Sequence, residues 1–407
     1  MVTVQELDLP ELNLAEIEGL AEKQAAINAA RKQHWLAKGP FGFALTRYED
    51  CVAVLRDRRF HSAASLITQM AGLPDDHELN KGRRRESILS MEGSGHDRLR
   101  RLVAPAFTPM AADKLRPFMR SVIQELVDRV VASGRTELIA DVCEPYPIPI
   151  ICELLGAPKE DWKLFSAWAT DLLAIFNGTL AADASRIIAA RDELDVYMTD
   201  LIARRRSTPA DDLLTALIAA ESEGDRLSSE ELVMMCEAVL IAGTDTTRNQ
   251  LACAVALFSQ HPGQWRLLAE DPSVAPRAVE ESMRVLGAVR GTARFASVNI
   301  EYRDVIFPKG TLVFPSFIGA NNDEAVWTNP AEFDIRKPPA SQPHLTFGSG
   351  IHYCLGANLA RAELQEALPL LAQRMPDLEI DGQITWKPTT VGIWGPERLP
   401  LRFTPTS

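Results

Sequence analysis

Between Leu227 and Pro262 the sequence runs without a proline and with a single glycine, Gly243. Ser228 and Glu231 have the spacing of a capping box, Leu227 and Leu232 that of a hydrophobic staple, and His261-Pro262 supplies the stop. The stretch predicts one helix of about 32 residues, ~48 Å long at ~1.5 Å per residue, enough to cross a whole domain. The rest of the chain must pack around it. Gly243 costs about 1 kcal/mol against alanine in mid-helix, so something there needs the missing side chain; close approach of a flat ligand is one such need. Ala242 and Thr246, four residues apart, share the face that Gly243 borders, and Asp245 adjoins Thr246.

A second constraint lies in F-G-S-G-I-H-Y-C-L-G, Phe347 to Gly356. Two glycines precede Cys354, and the following residues predict a helix over Leu355–Arg374. Outward N–H groups and the positive end of the dipole at a helix N-terminus favour a thiolate. No CxxC pair or second nearby cysteine completes a zinc or iron–sulfur site. One thiolate alone suits a haem iron, whose equatorial ligands come from the porphyrin.

Two shorter signals accompany these. In M-E-G-S-G-H-D-R-L-R-R-L-V the helical spacing puts His96 and Arg100 on one face, two cationic donors suited to a pair of anions, above a stripe of Leu99, Leu102 and Val103. In E-E-S-M-R, Glu281 and Arg284 lie one turn apart and can pair, with Arg284 reaching on to carbonyls of a neighbouring loop.

Phe347, Gly350, His352, Cys354 and Gly356 together resemble the haem-binding loop of the cytochrome P-450 family. Ala242 to Thr247, A-G-T-D-T-T, is similar to that family's oxygen-activation motif, and Glu281–Arg284 to its ExxR pair. The resemblance implies a mainly α fold with a smaller β region, a triangular prism of helices holding haem b between the long helix and the cysteine loop. It implies that Cys354 is the axial iron ligand and that His96, Arg100, Arg294 and His352 hold the propionates. Ala242 and Gly243 lie over the ring, Asp245 and Thr246 deliver protons, and Glu281 and Arg284 brace the cysteine loop. The activity implied is hydroxylation or other oxidation of a lipophilic small molecule with O2. Its two electrons come from NAD(P)H only indirectly, through a separate ferredoxin and reductase. Arg98, Arg101, His344 and Arg361 are the candidate basic patch for that partner. A peroxide-driven peroxygenase and a non-enzymatic haem sensor are the rival readings; Asp245-Thr246 argues against the first, and a proton relay has no use in the second.

The 407 residues carry a formal net charge of -12, which argues against nucleic acid as a partner. No apolar run of about 18 residues predicts a membrane span, the N-terminus lacks the pattern of a signal peptide, and the six cysteines have no framework spacing. These point to a cytoplasmic protein, read as one domain over 1–407 with no fused reductase or ferredoxin.

Along the chain, Ala15–Ala37 predicts a helix, Phe41–Leu45 a strand, and Thr46 an N-cap for a helix over Arg47–Asp57. The run Lys81–Arg85 predicts a solvated loop. Residues 113–220 read as helical, broken at Pro145, Pro147, Pro149, Pro158 and Pro209, with a core stripe of Phe165, Trp168, Leu172, Leu173, Ile175 and Phe176 ahead of Asn177-Gly178. Ser297–Tyr302 and Val305–Phe317 predict strands, and Val391–Trp394 a pocket tip. Ile67, Met234, Ala238, Val289, Arg290 and Ile393 are the expected substrate-pocket residues. Arg290 stands where the family usually shows proline and apolar lining. It either turns outward, pairs with an internal acid, or recognises an anionic group on the substrate.

Overall fold

The computed structural model describes residues 1–81, 87–176, 180–222, 225–388 and 393–405. Most of the run Lys81–Arg85, together with Asn177-Gly178 and Val391, lies outside them. The principal helices are α1 (Leu20–Gln33), α2 (Tyr48–Arg56), α3 (Gly93–Val103), α4 (Pro109–Val130), α5 (Pro147–Leu155), α6 (Trp162–Leu173), α7 (Leu180–Ser207), α8 (Ser229–Ser259), α9 (Pro262–Glu270), α10 (Ala275–Val285) and α11 (Ala357–Arg374).

The long helix forms as its capping box predicts: Ser228 Oγ accepts from Glu231 N–H at 3.1 Å, and Glu231 Oε2 from Ser228 N–H at 2.8 Å. Five consecutive residues of α8, Leu232 to Cys236, are buried, so the helix is covered on all sides rather than amphipathic. α5, α6, α7, α9, α10 and α11 surround it. Phe165, Trp168 and Leu172 of the predicted stripe join this core. Pro147 and Pro149 fall in the first turn of α5, where a missing N–H costs nothing, so they start a helix rather than break one. No helix among the described residues is long and apolar enough to cross a membrane.

The β region is a mixed sheet of β1 (Leu36–Lys38), β2 (Phe43–Leu45), β3 (Phe60–Ser62), β4 (Arg294–Ala296) and β5 (Leu312–Pro315), in the order β1-β2-β5-β4-β3. β5 runs parallel to β2 in the register Val313↔Phe43, and the other pairs are antiparallel.

Several predicted boundaries move for identifiable reasons. α1 ends at Gln33 because Leu36–Lys38 is recruited into the sheet. Thr46 does not cap α2: its N–H extends the sheet to Trp35 O, and Asp323 Oδ2 accepts from Tyr48 N–H at 2.9 Å instead. The predicted strand Val305–Phe317 splits. Val305–Phe307 pairs with Ile300–Tyr302 in a second sheet, while Ser316 Oγ caps a short helix over Phe317–Asn321. α11 begins at Ala357 after Gly356, which leaves Cys354 in the loop before it.

Candidate active site

A cavity of about 410 Å³ separates α8 from the cysteine loop. Ala242, Gly243 and Thr246 line one wall, and Phe347, Cys354 and Leu359 the other. The loop is held open by its backbone. Gly350 has φ of +72°, and a Cβ there would sit 2.1 Å from Leu55 O at the end of α2, so only glycine lets the loop lie against that helix. Cys354 N–H donates to Phe347 O at 2.9 Å, closing the turn. Of the cysteines, Cys354 alone is not buried, and the surface it keeps faces this cavity. Burial pushes its thiol up, while the Gly356 N–H and the Arg100 and Arg361 guanidiniums pull it back.

One edge of the cavity collects cations. His96 is 1% exposed, and neither ring nitrogen has a hydrogen-bond partner among the described residues; the nearest carboxylate, Asp97, is 3.8 Å from Nδ1. Its ring centroid lies 4.7 Å from that of His352. Burial, and then the fields of His352 and Arg100, push its pKa down. His352 Nε2 lies 3.0 Å from Glu92 Oε1. Arg294 is buried and among the described residues donates to Thr292 Oγ1 at 3.1 Å and Ala293 O at 3.0 Å; burial lowers its pKa too. Arg100 donates to Tyr353 O. Two buried imidazole nitrogens and two guanidiniums without carboxylate partners among the described residues leave this edge short of negative charge, and two carboxylates would satisfy it.

On the opposite wall Thr246 Oγ1 donates to Ala242 O at 2.5 Å, and its oxygen keeps lone pairs toward the cavity. Asp245 points away from it: its Oδ1 accepts from Asn249 Nδ2 at 2.9 Å, and Lys387 Nζ lies 3.3 Å from Oδ2. The missing side chain at Gly243 answers a neighbouring helix, because a Cβ there would meet Ile151 Cδ1 of α5 at 2.5 Å. Sequence reasoning missed Glu363. It is 1% exposed on α11, lines the cavity, accepts from Thr247 Oγ1 at 3.1 Å, and burial pushes its carboxyl up to about 8. A glutamate amid Leu359, Leu364 and Ala367 on an apolar helix face was the available signal.

The family model for cytochrome P-450 matches residues 52–376. The chain is 36% identical over 400 residues to the mycinamicin IV hydroxylase/epoxidase of Micromonospora griseorubida, covering 97% of this chain and 96% of that one. It is 34% identical over 406 residues to the luteothin monooxygenase of Streptomyces thioluteus, covering 97% and 96% respectively. The solved structure of CalO2 matches with a TM-score of 0.87 and 29% identity over 95% of this chain and 97% of that chain. This chain belongs to the cytochrome P-450 family. It is a haem-thiolate monooxygenase acting on small molecules, with haem b as cofactor, O2 as cosubstrate and electrons supplied through a reductase. The lone thiol on one wall and the anion-deficient edge fit that group.

In this P-450 the ExxR arginine is buried. Arg284 pairs with Glu281 through two bonds of 2.7 and 2.8 Å and donates to Asn321 O, Pro330 O and Glu332 O. Asn321 then bonds Leu345 N–H at 2.7 Å and Thr346 Oγ1 at 3.1 Å, so the brace reaches the cysteine loop through one intervening segment. Ala238, Val289 and Ile393 line the P-450 cavity. Ile67 and Met234 line a smaller neighbouring cavity instead. Arg290 is not a lining residue of either. Its guanidinium lies 4.3 Å from the Trp394 ring centroid, Trp394 stacks on Trp386 at 4.5 Å, and burial lowers the arginine to about 10. An indole, rather than an acid, faces the charge.

The predicted basic docking patch does not form from its four members. Arg98 is held by Asp225 at 2.6 Å and by Glu231. Arg361 pairs with Glu280 at 2.6 Å over the Phe347 ring, and His344 is buried 3.4 Å from the same carboxylate. Three of the four thus lie against carboxylates of the chain, Arg98 and Arg361 in pairs that stay partly exposed.

Proposed function

We propose that this P-450, acting as a single domain over 1–407 in the cytoplasm, hydroxylates or epoxidises a neutral, largely apolar natural product. In this reading Cys354 is the iron ligand and a separate ferredoxin with its NAD(P)H-dependent reductase delivers the electrons. The observation that carries it is one largely apolar cavity with the Cys354 thiol on one wall and the Thr246 hydroxyl, on the long helix, across from it. The relatives named as a mycinamicin IV hydroxylase/epoxidase and a luteothin monooxygenase support hydroxylation or epoxidation of a small molecule.

When bound, haem b supplies O2 activation and transfer of one oxygen atom to a C–H or C=C bond. His96, Arg100, Arg294 and His352 would hold its propionates. The apolar wall excludes water from the reacting centre. Thr246, already donating to Ala242 O, offers its oxygen as an acceptor and orients a protonated group in the cavity. Asp245 takes protons from the Lys387 side and releases them toward Thr246 by turning out of its contacts with Asn249 and Lys387.

The test is reconstitution with a ferredoxin and reductase against a panel of such products. Thr246→Ala should keep consuming NAD(P)H while product falls and hydrogen peroxide rises. Unchanged coupling would remove Thr246 from the reaction, and turnover driven by peroxide as well as by NAD(P)H would favour the peroxygenase reading.

A further inference from the structure

Next to the main cavity lies a second one of about 90 Å³, and the two share Ala64, Leu89, Ala238 and Ile241 as walls. Its far side is closed by an internal ion pair. Arg191 of α7 donates through Nε to Glu237 Oε1 of α8 at 2.6 Å. Arg191 is 8% exposed, and its Nη1 is buried with no hydrogen-bond partner among the described residues. Buried donors of native proteins are nearly always satisfied, so an unused guanidinium N–H beside a cavity needs a reason.

We propose that the Arg191–Glu237 pair anchors the far end of an elongated substrate by donating from Arg191 Nη1 to a neutral oxygen, a hydroxyl or carbonyl. Charge selects that chemistry. The guanidinium is already neutralised by Glu237; a substrate carboxylate would leave a net negative charge in a desolvated site, and an ammonium would compete for Glu237 and strand Arg191. A neutral oxygen satisfies Nη1 and adds no charge. Geometry sets the length. Thr246, Ala242 and Ala238 follow one another at four-residue spacing along α8, so the row from the reacting end to Glu237 spans nine residues, ~13 Å at ~1.5 Å each. Ile241 and Leu89 stand between the two compartments, and the substrate's own body replaces that partition once they swing aside.

The inference rests on the reading of the Cys354 cavity as the haem site, and its test separates the two. N-alkylimidazoles bind haem iron whatever the natural substrate is, so the haem-loaded protein is titrated spectrally with chains of roughly eight to fourteen carbons, bracketing that ~13 Å span. Each chain ends in methyl, hydroxyl, carboxylate or ammonium. At one length the hydroxyl probe should bind about tenfold tighter than the methyl probe, and the two charged probes weaker than either. Arg191→Met should erase the hydroxyl preference while leaving methyl-probe affinity within about twofold, and Glu237→Gln should relieve the penalty on the carboxylate probe. The methyl probe reports folding of each variant. Equal binding of methyl and hydroxyl probes at every length, as expected if the small cavity only holds solvent, overturns the proposal. So does a hydroxyl preference that survives Arg191→Met. Absence of any imidazole–iron spectrum overturns the haem reading instead.

Discussion

Among the carboxylates, Glu363 is strongly changed by its surroundings. Thr247 is its only side-chain partner among the described residues, one carboxyl oxygen has none, and burial raises it from 4.5 to about 8. The native protein therefore holds a proton that the unfolded chain releases above its ordinary carboxylate pKa. This group lowers stability progressively as pH rises from about 4.5 to about 8, with no further loss above that. Glu363→Gln keeps a hydrogen-bonding amide without the titration. A Tm measured from pH 5 to 8 should fall less with pH in the variant than in the parent, and parallel curves would contradict it. Glu280 titrates in the opposite sense: burial would raise it, but His344 and Arg361 outweigh that and lower it to about 2. Its contribution is present above about pH 4.5 and lost as pH falls toward 2, so Glu280→Gln should blunt the acid-side loss of Tm. Neither behaviour was readable beforehand, because adjacent letters do not reveal which glutamate is enclosed by leucine and which meets an arginine. Arg290 shows the same limit. Its oddness was visible in the sequence, but the indole that accepts it lies a hundred residues further on.

At the scale of elements, local spacing carried the prediction well wherever the partners were neighbours in sequence. The capping box at Ser228 and Glu231 and the pair Glu281–Arg284 formed as spaced. Gly243 was recognised as a place needing no side chain, yet the need comes from Ile151 of a separate helix. Gly243→Ala should thus cost about 1–3 kcal/mol through overpacking, against a slight gain on helix propensity alone. Ile151→Ala in the same chain should recover part of that loss, and a double-mutant cycle on denaturant midpoints measures it; additive costs would show that the two helices do not compete there. α2 failed in detail because its cap, Asp323, comes from a segment far along the chain. Arg284→Ala removes the main partner of the half-buried Glu281, which keeps Lys337 at 3.6 Å, and three carbonyl contacts, so a loss of about 3 kcal/mol and weakened haem retention are expected together. Loss of stability with haem retention unchanged would separate the brace from the cysteine loop.

For the whole molecule, the motifs that line or brace the main cavity were legible because each is a short run whose internal spacing is the information: 242–247, 281–284 and 347–356. The electrostatic surface was not. Arg361 reaches Glu280 across 81 positions and Arg98 reaches Asp225 across 127, and these partly exposed pairings offset the positive charge expected of a docking patch. The enclosure of Cys354, which opposes the thiolate that its place before a helix favours, was likewise not legible from local spacing. The fold brings that thiol opposite Thr246 across one apolar cavity, and the account stands on Cys354 being the group that holds the iron. The most direct test is the ferrous-carbonyl difference spectrum of the haem-loaded protein beside Cys354→His. The parent should absorb at the long-wavelength band that gives the family its name, and the variant should lose that band for the shorter-wavelength band of imidazole-ligated haem. A variant that retains haem and the parent's band unchanged would contradict the assignment of Cys354.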